Sequence, residues 1–156
     1  MLKKKPNTYT QLYVQIVFAV KGRQHFIKDD FREELQKYIS GIIAGKKQKL
    51  YAIYCMPDHT HILVSIKPDV AISDLVRDIK ANSSSFIKEK GFVKDFSWQA
   101  GFGAFSYSKS QSLNVVDYIL NQPMHHKIKT FRDEYVEFLN KFEIDFKAEY
   151  LFEFYS

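Results

Sequence analysis

Two short β-patterned segments, Lys49–Cys55 and His59–Ile66, are separated by only Met56, Pro57 and Asp58. A link that short, made of turn-forming residues, cannot hold a crossover connection, so the two segments must pair as an antiparallel hairpin. The other elements have to fit around it. Upstream, Tyr9–Val20 alternates, with Leu12, Val14, Ile16, Phe18 and Val20 on one face, and reads as a first strand. Between that strand and the hairpin, Asp30 and Glu33 form a D-x-x-E start resembling a capping box. Behind it, Phe31, Leu35, Tyr38, Ile39, Ile42 and Ile43 follow helical spacing as far as Gly45. After the hairpin, Ile72, Leu75, Val76, Ile79 and Phe86 predict a second helix from about Ser73 to near Gly91. Trp98–Ser108 predicts a fourth strand.

The order strand, helix, strand, strand, helix, strand predicts an α+β fold of ferredoxin-like type: one antiparallel sheet with helices on one face. Two more helices follow it, one from about Ser112 to Gln122, stopped by Pro123, and one from Thr130. With 156 residues, no internal repeat and no linker-like stretch, the whole chain, 1–156, reads as a single domain. Lys and Arg outnumber Asp and Glu by 23 to 18, a surplus that permits a polyanionic partner without requiring one. Cys55 is the only cysteine, which excludes an intrachain disulfide and a cysteine-rich zinc site. The most apolar stretch, Leu12–Val20, is too short to span a bilayer, and the start MLKKKPNTYTQ has no apolar core of the kind a signal peptide needs. A cytoplasmic protein is expected.

Period-two geometry sends Thr60, Ile62, Val64 and Ile66 to the core side of the third strand and leaves His59 and His61 together on the other side. Two imidazoles at that spacing can share one metal ion. In the first C-terminal helix, Leu113, Val116 and Leu120 form an apolar stripe expected to face the core. Tyr118 and Gln122 lie opposite it, one turn apart, and are therefore expected to point away from their own core. Two imidazoles and a neutral amide oxygen would leave a bound cation its full charge and open positions for a phosphate oxygen. A tyrosine hydroxyl nearby could attack the phosphorus and become a phosphotyrosine ester. His125 and His126 follow, and as a pair read as solvated or structurally bonded rather than as a second metal site. Arg77, Lys80, Lys88 and Lys90 could meet DNA phosphates, although a solvated helix face accounts for them equally well. Trp98, Phe105 and Tyr107 could stack on bases, although core positions account for most of them.

These motifs resemble a known family. Met56-Pro57-Asp58-His59-Thr60-His61-Ile62-Leu63-Val64 resembles the HUH motif of the small single-tyrosine transposases of IS200-like insertion sequences, with Thr60 where an aliphatic residue is more usual. Trp98-Gln99, followed by Gly101-Phe102-Gly103-Ala104-Phe105-Ser106, resembles the family's next signature. Tyr118-Ile119-Leu120-Asn121-Gln122, with His125-His126 behind it, resembles its nucleophile helix. The resemblance covers nearly the whole chain. It implies His59, His61 and Gln122 as ligands of Mg²⁺ or Mn²⁺, and Tyr118 as the nucleophile that takes a 5′-phosphate and frees a 3′-hydroxyl. It further implies hairpin-marked single-stranded DNA as substrate, and a homodimer in which active sites can be shared between subunits. Three other readings make different demands. A replication-initiator or relaxase type HUH nickase shares the first chemical step, but is disfavoured by the small size and the Tyr-x-x-x-Gln spacing. A histidine-triad hydrolase needs a further histidine where Leu63 stands. A non-catalytic ferredoxin-like module would bind single strands without covalent linkage, leaving the register of Tyr118 and Gln122 unexplained.

Overall fold

A computed structural model describes residues 7–155; the basic run Lys3–Lys5 lies outside them. The strands are β1 (Tyr13–Ala19), β2 (Lys49–Cys55), β3 (His59–Ser65) and β4 (Gly103–Tyr107). The helices are α1 (Asp29–Gly45), α2 (Ile72–Glu89), α3 (Lys109–Leu120), α4 (Gln122–His125) and α5 (Phe131–Lys141). The sheet order is β2-β3-β1-β4 with every neighbouring pair antiparallel, the arrangement expected of a ferredoxin-like sheet. The hairpin link closes as its residues require, with Met56 N–H donating to the His59 carbonyl at 2.8 Å.

Alternation along the strands builds two cores. Val14, Ile16 and Phe18 of β1 and Ile62 and Val64 of β3 face Phe31, Leu35, Ile39 and Ile43 of α1 and Leu75, Val76 and Ile79 of α2. Burying an aliphatic or aromatic side chain of this size contributes about 1.5–3 kcal/mol, so this layer carries much of the stability. The other face is covered too. Val17, Ala19 and Phe105 pack against Phe131, Tyr135 and Leu139 of α5 and against Phe152 of the C-terminal tail, while Ala52 and Leu63 pack against Val115 and Ile119 of α3. The additional C-terminal helices thus bury the sheet face that carries His59 and His61.

Several local expectations are corrected. The Asp30–Glu33 capping box does not form: the N-cap is Lys28, two residues before Asp30, with no side-chain cap bond. Asp29 and Asp30 instead sit in its first turn, where negative charge complements the helix dipole. β1 and β4 are shorter than their apolar patterns, and Trp98 joins the sheet only through an isolated bridge to Val20. The Ser112–Gln122 helix begins earlier, at Lys109, through a capping box between Ser108 and Gln111, and ends at Leu120. Pro123 does not stop the chain's helicity. It occupies the first turn of α4, where its missing N–H has no intrahelical partner to lose.

The stripe of Leu113, Val116 and Leu120 is inverted relative to expectation. Leu113 is 75% and Leu120 53% exposed, while Val115 and Ile119 are the buried face. Tyr118 and Gln122 do lie opposite the Leu113 stripe, and for that reason they point into their own subunit rather than away from it. Among the described residues no helix is long and apolar enough to cross a membrane.

Candidate active site

β3 delivers His59 and His61 to the middle of the second core, where both are fully buried (0% exposed). Each ring is oriented through its Nδ1. His59 Nδ1 lies 2.7 Å from Asp58 Oδ1, and His61 Nδ1 lies 2.7 Å from Gln15 Oε1. The Gln15 amide is itself held by donation from Nε2 to the Tyr107 hydroxyl at 2.8 Å. With Nδ1 engaged on those oxygens, the Nε2 atom of each ring is the one turned towards the rest of the cluster. Phe131, the first residue of α5, stacks flat on His59 with ring centroids 3.8 Å apart and planes within 3°.

α3 and α4 bring in the other two expected residues. Gln122 is fully buried, with Oε1 at 3.2 Å from His59 Nε2. Tyr118 packs edge-on to His61, ring centroids 6.1 Å apart, and its hydroxyl donates to a carboxylate that sequence reasoning missed, that of Glu134 on α5. The structure therefore gathers His59, His61, Tyr118 and Gln122 from three elements into one cluster within a single chain.

Glu134 is at the centre of that cluster. Its Oε1 lies 2.9 Å from His61 Nε2, 3.3 Å from His126 Nε2 and 3.6 Å from His59 Nε2. Its Oε2 accepts from Tyr118 and from the Gln122 amide at 3.1 Å. Burial alone would raise its pKa, but His61, His126 and His59 outweigh that and hold the carboxyl well below the usual range. Burial, with Glu134 beside it, pushes the Tyr118 phenol up. Desolvation, only partly countered by Glu134, pushes His61 down, towards the neutral ring. For His126 burial opposes charge, yet Glu134 and Asp58 prevail and its pKa rises.

Glu134 and His126 each carry a signal in the sequence. Glu134 is three residues after Phe131 and four before Phe138, so it shares their helix face. His126 is four residues after Gln122. Of the two readings of the histidine pair, solvated or structurally bonded, the second holds: His125 stacks on Tyr118 at 4.3 Å, and His126 lies 3.0 Å from Gln122 Oε1. Of the residues considered for DNA contact, Trp98 and Phe105 are core and Tyr107 is tied to Gln15. Lys80 is bonded to the Gln99 and Gly101 carbonyls, and Arg77 pairs with Asp74 and Asp78.

The donor set of imidazoles, an amide oxygen and a carboxylate suits a divalent metal ion. An antiparallel β2-β3-β1-β4 sheet thus carries two buried histidines on its inner strand β3, with a helical tyrosine and a glutamine brought against them. Residues 8–122 match the family of IS200-like transposases, and the chain belongs to it. It is 25% identical over 128 residues to the ISDra2 transposase TnpA of Deinococcus radiodurans, an alignment covering 78% of this chain and 91% of that one. Two solved structures share the fold. One is a candidate transposase of Deinococcus radiodurans R1, with TM-score 0.60, 22% identity, and coverage of 78% of this chain and 98% of that one. The other is a REP-associated tyrosine transposase bound to a REP hairpin, with TM-score 0.58, 18% identity, and coverage of 80% and 74%.

Proposed function

We propose that this transposase cuts and rejoins single-stranded DNA at hairpin-marked element ends through a 5′-phosphotyrosine ester on Tyr118. The observation that carries the reading is the placement of the Tyr118 hydroxyl on the carboxylate that also meets His61 and Gln122. Tyr118 Oη forms the new bond to phosphorus as the bond from phosphorus to the 3′-oxygen breaks. Glu134 Oε2 accepts the phenol hydrogen bond, takes the proton only as the bond to phosphorus forms and the phenolic oxygen becomes acidic, and passes it on to the leaving 3′-oxygen. His59, His61 and Gln122 would hold a divalent cation, which would supply polarisation of the scissile phosphate and neutralise charge as it develops. The ester conserves the energy of the broken phosphodiester, so rejoining needs no nucleoside triphosphate.

A cleft of about 560 Å³ opens beside Tyr118, bordered by Gln111, Asn114, His125, Lys129 and Lys141, and gives a strand access to the hydroxyl. The hairpin in a structural neighbour supports hairpin DNA as substrate here. A homodimer is supported by the apolar strip Leu113, Leu120 and Met124, exposed at 75%, 53% and 59%.

The test uses single-stranded oligonucleotides copied from both flanks of the gene, top and bottom strands, incubated with wild type and Tyr118→Phe. A metal-dependent, strand-selective covalent band that is missing from the mutant is expected. Hairpin binding with no adduct under any divalent metal would overturn the reading in favour of a binding module.

A further inference from the structure

The family match ends at residue 122, and so does the ligand set that the resemblance implies. Two more donors enter the same space from beyond that point: His126 at the end of α4 and Glu134 in the first turns of α5. We propose that His126 and Glu134 are metal ligands in this chain, making its centre a three-imidazole, one-carboxylate site that selects a first-row transition dication over Mg²⁺. The inference rests on the reading of His59 and His61 as metal ligands.

Spacing supports it first. Nitrogen and oxygen ligands bind such ions at about 2.0–2.2 Å, so neighbouring donors around one ion stand about 3.0–3.6 Å apart in octahedral or tetrahedral arrangement. Glu134 Oε1 stands 2.9, 3.3 and 3.6 Å from the three Nε2 atoms, and Gln122 Oε1 stands 3.2 and 3.0 Å from those of His59 and His126. Each of these spacings is one that two ligands of a single ion can take, and all the histidine and carboxylate donor atoms of the group lie within 4.8 Å of one another.

Orientation supports it independently. Asp58 and Gln15 hold the outer nitrogens of His59 and His61, the arrangement that fixes the tautomer of a ligating histidine and raises its basicity. The Nε2 atoms and the carboxylate then converge in a dry space, with Glu134 only 2% exposed, where a cation is screened little and its attraction to the carboxylate is strong. Glu134 is also firmly held. Thr130 Oγ1 caps α5 by accepting from the Asp133 N–H at 3.1 Å, and a β-carbon added to Gly103 would come within 2.6 Å of the Tyr135 hydroxyl, so close is the helix to the sheet.

The donor chemistry then selects the ion. Mg²⁺ favours hard oxygen ligands and keeps several waters, whereas three imidazoles with one carboxylate suit Mn²⁺, Co²⁺ or Zn²⁺.

Direct binding tests this without reference to activity. Co²⁺ is titrated into the metal-free full chain by calorimetry, and its absorption bands are followed in parallel. The proteins are wild type, His126→Ala, Glu134→Gln and, on the exposed face of α2 outside the cluster, Arg77→Ala, with Mg²⁺ as competitor. One Co²⁺ per chain is expected, resistant to excess Mg²⁺, with affinity lowered on the order of 100-fold in His126→Ala and Glu134→Gln and unchanged in Arg77→Ala. His126 is 11% exposed at its side chain, so His126→Ala reports even if Glu134→Gln folds poorly, and circular dichroism of each metal-free protein shows which is folded. Unchanged Co²⁺ affinity in a folded His126→Ala, or Mg²⁺ binding as tightly as Co²⁺, would overturn the inference. DNA adducts alongside unchanged Co²⁺ affinity would sink it and leave the DNA-cleaving reading standing. The expected Co²⁺ losses with no DNA adduct from wild type would do the reverse.

Discussion

The Tyr118 hydroxyl donates to Glu134 Oε2, sixteen residues further along the chain, while the other oxygen of that carboxylate stands 2.9 Å from His61 Nε2. One side chain therefore ties the proposed nucleophile to the proposed metal site, and the arrangement is complete within one subunit.

Tyr118→Phe removes one hydroxyl and leaves the ring contacts with His61, His125 and Phe138 in place. The buried carboxylate loses a donor but keeps the Gln122 amide, so chemical denaturation should show a loss of about 1–2 kcal/mol. Hairpin binding measured by gel shift should be retained.

Gly103→Ala should loosen α5. The added β-carbon would fall 2.6 Å from the Tyr135 hydroxyl and 2.8 Å from its ring edge, closer than packed atoms allow. Overpacking of this kind costs about 1–3 kcal/mol, and urea denaturation should show it. Combining it with Tyr135→Phe, which removes the nearer atom, should recover part of the loss.

Thr130→Ala deletes the cap of the helix that carries Glu134. A loss of about 1 kcal/mol is expected in thermal or chemical unfolding. Hydrogen exchange should quicken at the Asp133 N–H, whose acceptor is gone.

Cys55 is fully enclosed, and burial pushes its thiol up to about 12, so little thiolate exists in the folded protein at pH 8. Maleimide should label it only after unfolding. Above the ordinary thiol value of 9.0 the unfolded chain releases a proton that the folded one keeps, so this group lowers stability as pH rises from there towards about 12.

Leu113→Glu with Leu120→Glu tests the proposed dimer. Both side chains are exposed in the single chain, at 75% and 53%, so the melting temperature of the isolated subunit should hold. Light scattering should show the wild-type dimer shifted to monomer; a mutant that stays dimeric would place the interface elsewhere.

The hairpin, the strand alternation and the βαββαβ order are legible because each depends on local rules: a three-residue link, a period of two, and a terminator after each apolar stripe. The pairing of Tyr118 with Gln122 is legible for the same reason, since helical spacing alone puts them side by side. Which way that helix faces is not. α3 carries two apolar strips, Leu113/Val116/Leu120 and Val115/Ile119, and periodicity cannot rank them. The choice is made by Ala52 and Leu63 on the sheet, which accept the smaller β-branched strip. Glu134 is not legible in the same way, because an acidic residue near a helix start reads as a dipole partner. Its place on the Phe131–Phe138 face was the contrary signal. His126 is not legible either, because a histidine pair after a helix is ordinary in isolation. Only the fold shows that the first ring of the pair stacks on Tyr118 while the second reaches the cluster.

The most direct test of the central claim is mass spectrometry of the protein–DNA adduct after nuclease trimming and proteolysis. A single modified peptide is expected, with the residual nucleotide linked through a 5′-phosphate to Tyr118, and no such peptide from His61→Ala. Linkage at any other tyrosine, or full adduct yield without His61, would contradict it.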